Sequence, residues 1–225
     1  MAEEPVRQVK VRDGWIRLVL WGIVSLLAIS WTSMKTGNAE AQYLSGYTVP
    51  TLLLFRLVPG AAGSDTARFA RILRSPAAAF RHLSRFRQRE PDTETGHNAA
   101  GGWMVLVLLG FLLVQAASGL FANHEPGFSY DAHGPLAPEV SDKTSAWLTG
   151  VHHLFFDLIL AAAGLHFLSV LACHVVKGHD LIGPMLTGVK ALPARLAPPR
   201  MGSPVLAAAF LTAAALAVWG ITRLG

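Results

Sequence analysis

The chain has almost no cysteine and little charge, and both shortages narrow the classes of protein to which it can belong. Cys173 is the one cysteine among 225 residues, so the chain by itself has no intrachain disulfide, no thiolate zinc site and no cysteine-held iron–sulfur cluster. Only 15% of the residues are charged, whereas 52% are hydrophobic, a composition that favours a membrane protein. Nine histidines are then the abundant metal-binding side chains besides the carboxylates.

Five apolar segments are long enough to cross a bilayer, which takes about 17–25 residues. They predict an all-α membrane protein with transmembrane helices near residues 15–33, 43–62, 102–122, 147–176 and 203–222. The second segment is interrupted by Pro50, Arg56 and Pro59, although proline is tolerated where neighbouring groups satisfy the freed carbonyls. The first segment is read as an uncleaved helix rather than a signal peptide, because it lacks a clear small-residue cleavage site and further membrane segments follow.

Basic residues are concentrated in three segments: the N-terminal tail, the 63–101 loop with its seven arginines, and the 177–202 loop. The positive-inside rule therefore predicts a cytoplasmic N-terminus and a C-terminus on the outer side of the membrane. The run from Arg81 to Arg89 is then a topology determinant, and we predict no nucleic-acid partner. The acidic 123–146 loop lies on the opposite side and is predicted to dock a periplasmic partner.

Ionisable side chains inside a membrane span are costly and mark functional sites. The fourth span holds His152, His153, Asp157 and His166, and His174 lies near its inner end. On an ideal helix His152 and His166 are roughly 40° apart around the axis and about 21 Å apart along it. One face therefore carries an imidazole near each membrane surface, which suits one axial side of two stacked haems; interhelical hydrogen bonding is the alternative. His153 and Asp157 look like a local hydrogen-bonded pair.

Several stretches share a pattern known from one family: DGWIRLVLW at 13–21, SGY at 45–47 with LFRL at 54–57, GHN at 96–98, QAASGLFA at 115–122, GPLA at 134–137, LTGVHH at 148–153 and MLTGVK at 185–190. Through them the chain from Val11 to Lys190 resembles the bacterial cytochrome b561 family, which is related to the dihaem cytochrome b subunits of nickel–iron hydrogenases and formate dehydrogenases. The resemblance implies a four-helix, haem-binding membrane domain over residues 1–190. A linker and a fifth transmembrane helix then occupy residues 191–225.

The resemblance also implies where the haems are held. One haem would lie between the first and fourth helices and the other between the second and fourth, each on two histidines. The fourth-helix ligands correspond to His152, near the outer face, and His166, nearer the cytoplasm. The two partner positions hold Leu20 and Gln42, neither of which is a good ligand for haem iron. Arg56 occupies a position that could pair with a haem propionate.

Replacement of both partner histidines leaves three hypotheses open. In the first, a substitute side chain completes the iron coordination: Met34, His124 or His153 at the outer site, His97 or His174 at the inner one. In the second, the iron is five-coordinate through His152 or His166 and can bind small ligands. In the third, one or both haems have been lost.

Two functions are consistent with these hypotheses. The first is a membrane electron-transfer subunit that carries one or two b-type haems between the quinone pool and a redox partner such as a c-type cytochrome. The second is a haem-poor or haem-free subunit that anchors or assembles a larger membrane redox or photosynthetic complex. Both predict a member of a hetero- or homo-oligomeric complex in the lipid bilayer rather than a free-standing catalyst.

Overall fold

The computed structural model describes residues 5–89, 92–123 and 133–224, and most of them are helical. The elements in chain order are β1 (Val6–Lys10), α1 (Gly14–Thr36), α2 (Ala39–Ala62), α3 (Phe69–Ile72), α4 (Pro76–Ser84), α5 (Ala99–Gly119), α6 (Asp142–Ala172), α7 (Gly183–Thr187), β2 (Val189–Pro193) and α8 (Pro204–Ile221). A short 3-10 turn precedes α6, and α6 continues into a π-helical turn over Cys173–Lys177.

The prediction of an all-α membrane protein is confirmed. Within the described ranges, four helices are long and apolar enough to cross a bilayer: α1, α5, α6 with its π-helical turn, and α8. α2 has 24 residues, which is long enough, but it falls short in apolar character. The fold is therefore a four-helix membrane domain of α1, α2, α5 and α6, followed by α8 as the fifth span.

Burial explains why α2 is less apolar than its neighbours. Phe55 and Leu53 are fully buried, and even Arg56 is only 7% exposed, so α2 packs mainly against protein rather than against lipid. The hydroxyls of Thr48 and Thr51 donate to the backbone carbonyls four residues earlier in the helix, at 2.6 and 3.0 Å. Such internal hydrogen bonds satisfy polar groups where no water is present.

The chain divides into two compact units. The helical unit comprises residues 19–56, 108–161 and those after 204, and the loop unit comprises residues up to 18, 57–107 and 162–204. In the helical unit, α1 and α2 approach closely at Gly22, where an added Cβ would lie 2.9 Å from Leu52 Cδ1. Phe111 of α5 packs edge-on against Phe155 of α6, with ring centroids 5.5 Å apart.

The loop unit contains a two-stranded sheet that the apolar pattern does not predict. β1 pairs antiparallel with β2, with Val6 opposite Pro193 and Lys10 opposite Val189. Val9 and Leu192 are buried between them, so the strands are held by a small apolar cluster as well as by backbone hydrogen bonds. Two five-residue strands joined across nearly two hundred residues give no local hairpin signal, which is why sequence periodicity misses them.

Ion pairs and hydrogen bonds bring the three basic segments of the chain together in the loop unit. The Lys190 ammonium, only 7% exposed, contacts the Asp92 carboxylate at 2.7 and 2.8 Å. The backbone N–H groups of Asp65 and Arg200 donate to the Arg200 carbonyl and the Asp65 carboxylate respectively, each at 3.1 Å. The N-terminal tail, the segment after α2 and the segment after α6 therefore lie together in the loop unit.

Candidate functional site

His152 lies on the inner face of α6 within the helical unit, and both of its ring nitrogens contact Gln115 of α5. Nδ1 is 2.9 Å from the Gln115 carbonyl oxygen. Because a carbonyl only accepts, Nδ1 carries the proton and Nε2 carries a lone pair that can accept. Nε2 accepts a hydrogen bond from the Gln115 side-chain amide at 3.0 Å. A backbone carbonyl that orients one ring nitrogen is the arrangement commonly found behind a metal-binding histidine.

Gln42 lies beside the same imidazole, on α2, and its amide is held by α1. The hydroxyls of Ser30 and Ser33 donate to Gln42 Oε1 at 3.1 and 2.8 Å. Two cavities of about 120 and 160 Å³ have Ser30, Gln42, Gln115 and His152 in their shared wall. The residue that replaces the expected second-helix histidine therefore faces the same space as His152, with its oxygen already engaged.

Small and aromatic residues shape the larger surroundings of this site. An added Cβ on Gly119 would lie 2.8 Å from His152 Cε1, so the ring packs directly against the glycine backbone. Gly46 lines the first cavity, together with Tyr43 and Tyr47, whose rings stack with centroids 6.0 Å apart. These residues form an apolar wall against which a flat group can lie.

Two of the substitute ligands predicted for the outer site lie at the second cavity. Met34 and His153 line it alongside His152, as does Asp157. The rings of His152 and His153 are 6.3 Å apart at nearly right angles, and His153 is largely exposed. His124 is outside the described residues. The structure thus places Met34 and His153 near the predicted outer site.

The other predicted residues lie elsewhere. His166 is half-buried on α6, in the loop unit, and its ring makes no hydrogen bond with the described residues. His174 Nδ1 is 3.3 Å from the carbonyl oxygen of His179. His97 lines a separate cavity with Arg71, Arg74 and Glu94. No group of three or more His, Cys, Asp or Glu side chains suited to a metal ion occurs in the described part of the chain.

Leu20 and Arg56 complete the set of predicted positions. Leu20 is a half-buried apolar residue on α1, and Arg56 is a buried cation on α2. The resemblance implies that Arg56 pairs with a haem propionate. That role stays a prediction.

Sequence reasoning missed Gln115, Ser30 and Ser33. Gln115 is 8% exposed, and it stands out as an amide among the apolar residues of α5. That isolation was the available signal, because a buried amide needs partners. Ser30 and Ser33 gave no such signal, since serine is common on helix faces that pack together in membranes.

Comparison with known proteins shows which family the chain belongs to. A family model described as prokaryotic cytochrome b561 matches residues 14–188, more than three-quarters of the chain. The chain belongs to the prokaryotic cytochrome b561 family. The family has a membrane electron-transfer role based on b-type haem, and this member is a multi-pass bacterial membrane protein. No curated protein and no solved structure matches the chain.

The residues around His152 fit a haem of the cytochrome b561 type through one axial ligand. A neutral imidazole with its Nδ1 proton on a carbonyl presents Nε2 as an iron ligand. Next to it, Gln115 Oε1 is buried without a hydrogen-bond partner among the described residues, so the amide is only half satisfied where it stands. Gln42 does not offer a strong second ligand, because an amide oxygen binds haem iron poorly.

Proposed function

We propose that this cytochrome b561 family member is an electron-transfer subunit that carries b-type haem between the quinone pool and a redox partner such as a c-type cytochrome. The observation that supports it is the pair of contacts at His152, whose Nδ1 is oriented by a carbonyl while Nε2 is left as an acceptor beside a cavity. A half-buried histidine held in this manner is expensive inside a membrane unless it has a function.

The chain's own residues would act as follows. His152 holds the outer haem and the Gln115 carbonyl fixes the orientation of its ring, while Gly119 supplies the close approach that the ring needs. His166 holds the inner haem, and Arg56 neutralises a propionate. When bound, haem supplies a one-electron redox couple, whose potential depends on its ligands and on the burial of the site.

The sixth position of the outer iron is the feature that distinguishes this chain within the proposal. Gln42 stands where the family pattern has a histidine, and its oxygen accepts from Ser30 and Ser33. His152 would then hold the iron alone, or Met34 or His153, which line the second cavity, would help to hold it. A five-coordinate iron leaves a position open for a small ligand.

The proposed setting is the bacterial inner membrane, with the N-terminus in the cytoplasm. The three basic segments share one side of the membrane, and positive residues are retained on the cytoplasmic side. The acidic loop between α5 and α6 would then face the periplasm and dock the redox partner. Quinone is a second proposed cofactor, and α8 a contact with other subunits of a complex.

An optical spectrum tests the proposal. The purified protein, expressed with haem supplied, is expected to show a b-type band in the dithionite-reduced minus oxidised spectrum. A high-spin spectrum identifies five-coordinate iron, and a low-spin spectrum a sixth ligand. His152→Ala and His166→Ala each remove one haem if both sites are filled. A protein without any haem band would overturn the proposal.

A haem-poor structural subunit is the second candidate, and the closed state of the site favours it. The Gln115 amide occupies the lone pair of His152 Nε2, and the cavities of about 120 and 160 Å³ are smaller than typical ligand pockets of roughly 300–1,000 Å³. A binding macrocycle must displace Gln115 and neighbouring side chains. This candidate predicts that the protein purifies with other subunits and is stable without haem; a stable, monomeric and fully haem-loaded chain excludes it.

A further inference from the structure

α4 is a short amphipathic helix in the segment between α2 and α5. It begins after Ser75, whose hydroxyl oxygen accepts from the backbone N–H of Ala78 at 3.2 Å, and Pro76 occupies its first turn. Both are strong helix-start signals. None of the nine residues of α4 is buried, so most of its surface is available to something outside the chain.

Exposed apolar and basic side chains lie next to each other on α4. Phe80 is 74% and Leu83 57% exposed, and residues three apart share one face of a helix. Arg81 and the C-terminal cap residue Arg85 lie toward the opposite side of the helix, and Arg87 follows it; all three are exposed. Their guanidinium groups form no ion pair with the described residues. Topology alone accounts for arginines but not for an exposed phenylalanine and leucine beside them.

Two hydrogen bonds fix the position of the α4 segment along the membrane helices α5 and α6. Before α4, the Arg74 carbonyl accepts from the indole N–H of Trp103 at 3.1 Å. After α4, the Arg89 guanidinium donates to the Val176 carbonyl at 3.2 Å. Trp103 lies in the second turn of α5 and Val176 in the last turn of the α6 span. The segment that carries α4 is therefore held level with the ends of two membrane helices, where the headgroups are.

We propose that α4 lies in the membrane interface and binds anionic phospholipid. Phe80 and Leu83 insert at the boundary between headgroups and acyl chains, and Arg81, Arg85 and Arg87 contact the lipid phosphates. A helix with one apolar face and basic residues on its polar side has this preference, and arginine is well suited to bind phosphate. Attraction to an anionic leaflet adds to the burial of the apolar pair. This inference is independent of haem binding.

Spin labels on the full-length protein test the proposal. In a Cys173→Ala background, Phe80→Cys and Leu83→Cys carry a nitroxide, and Gln88→Cys is the matched control in the exposed turn after α4. Power saturation in nanodiscs compares accessibility to oxygen, which partitions into the bilayer, with accessibility to a water-soluble nickel complex. Labels at 80 and 83 are expected to be several-fold less accessible to nickel than the label at 88.

Changing the lipid composition separates the apolar from the electrostatic contribution to membrane binding by α4. The protection of positions 80 and 83 is expected to increase when phosphatidylglycerol replaces a third of the phosphatidylcholine. The increase is expected to disappear in a variant with Arg81→Gln, Arg85→Gln and Arg87→Gln. Equal nickel accessibility at 80, 83 and 88 in both nanodiscs overturns the interfacial position. Protection that does not change with lipid charge overturns the preference for anionic lipid.

Discussion

Two glutamines flank the imidazole of His152, and their hydrogen bonds are of different kinds. The Gln42 oxygen already accepts from two serine hydroxyls, so rotating this amide toward another partner would leave those hydroxyls without their acceptor. The Gln115 oxygen has no hydrogen bond among the described residues, so moving this side chain costs less. Gln115 is therefore the side chain that would give way when iron approaches Nε2, while its backbone carbonyl continues to hold Nδ1.

Gly119→Ala tests whether the position of the His152 ring matters for haem binding. The new Cβ would lie 2.8 Å from Cε1 and 3.0 Å from Nδ1, closer than carbon and nitrogen atoms pack, so the ring must move. Overpacking of this kind costs about 1–3 kcal/mol, and we expect about tenfold weaker haem binding. Haem titration of the purified variant, followed by absorbance, measures the change.

Gly110→Ala is the matched control on the same helix. Its Cβ would have nothing within 4 Å, and alanine favours a helix over glycine by about 0.5–1 kcal/mol. Haem binding is expected to stay unchanged while the melting temperature stays the same or rises. If Gly119→Ala binds haem as tightly as Gly110→Ala, the ring contact plays no part in haem affinity.

At the scale of the elements, the long apolar helices are the part of the fold that sequence predicts. α1, α5, α6 and α8 coincide with predicted spans because lipid contact demands an uninterrupted apolar surface. The strands β1 and β2 are not predicted, since each lies far from its partner in the chain, and the nine-residue helix α4 is too short to stand out in the apolar pattern. In the site, helix spacing and the resemblance single out His152 as a candidate ligand, whereas its contacts with Gln115 depend on how α5 and α6 pack.

The turn between α7 and β2 depends on a glycine. Gly188 has φ of 82°, and an added Cβ would lie 3.0 Å from the Arg12 carbonyl oxygen. The close approach of the two backbones lets the Gly188 carbonyl accept hydrogen bonds from the N–H groups of Val11 and Arg12. Gly188→Ala is expected to lower the melting temperature through left-handed strain of about 1–2 kcal/mol and through this contact. Thermal unfolding in detergent measures the loss.

Gly178→Ala separates the backbone strain from the contact with the Arg12 carbonyl. Gly178 has φ of 73°, but its Cβ would meet nothing within 4 Å, so only the backbone strain remains. We expect a smaller drop in melting temperature than for Gly188→Ala. Equal drops would mean that contact with the N-terminal tail contributes nothing measurable.

The buried ion pair between β2 and the segment before α5 is expected to stabilise the loop unit. Lys190→Met leaves the Asp92 carboxylate without its ammonium partner, and the Asp92 side chain is only 16% exposed. Loss of one member of a buried pair costs about 3–5 kcal/mol, so the melting temperature is expected to fall by several degrees. The double variant Lys190→Met with Asp92→Leu should recover much of this loss, because no uncompensated charge remains.

The Arg74–Glu94 pair is the control for this prediction. Its side chains are 45% and 33% exposed, and exposed pairs contribute about 0–1 kcal/mol. Glu94→Gln should therefore change the melting temperature much less than Lys190→Met. A similar loss in both variants would show that burial of Lys190 does not set the strength of its pair.

At the scale of the whole molecule, the number of membrane crossings depends on α2, the least apolar of the long helices. The N-terminal tail pairs with β2, and the segment after α2 is joined to the segments around β2 and α8 through Asp92 and Asp65. Chain segments that touch one another lie on one side of the bilayer. We therefore expect an even number of crossings between the tail and the segment after α2, and we expect α8 to carry the C-terminus to the opposite side.

Single cysteines in a Cys173→Ala background test this topology with a membrane-impermeant maleimide on sealed vesicles of known orientation. The positions are all in exposed residues: Gln8, Gln88 and Ala197 on one side, Lys143 and Leu224 on the other. The first three are expected to react from the same face, and the positive-inside rule makes it the cytoplasmic one. The contacts of the loop unit require residues 8 and 88 to lie on the same side of the membrane. If residue 88 reacts from the face opposite to residue 8, α2 does not cross the membrane.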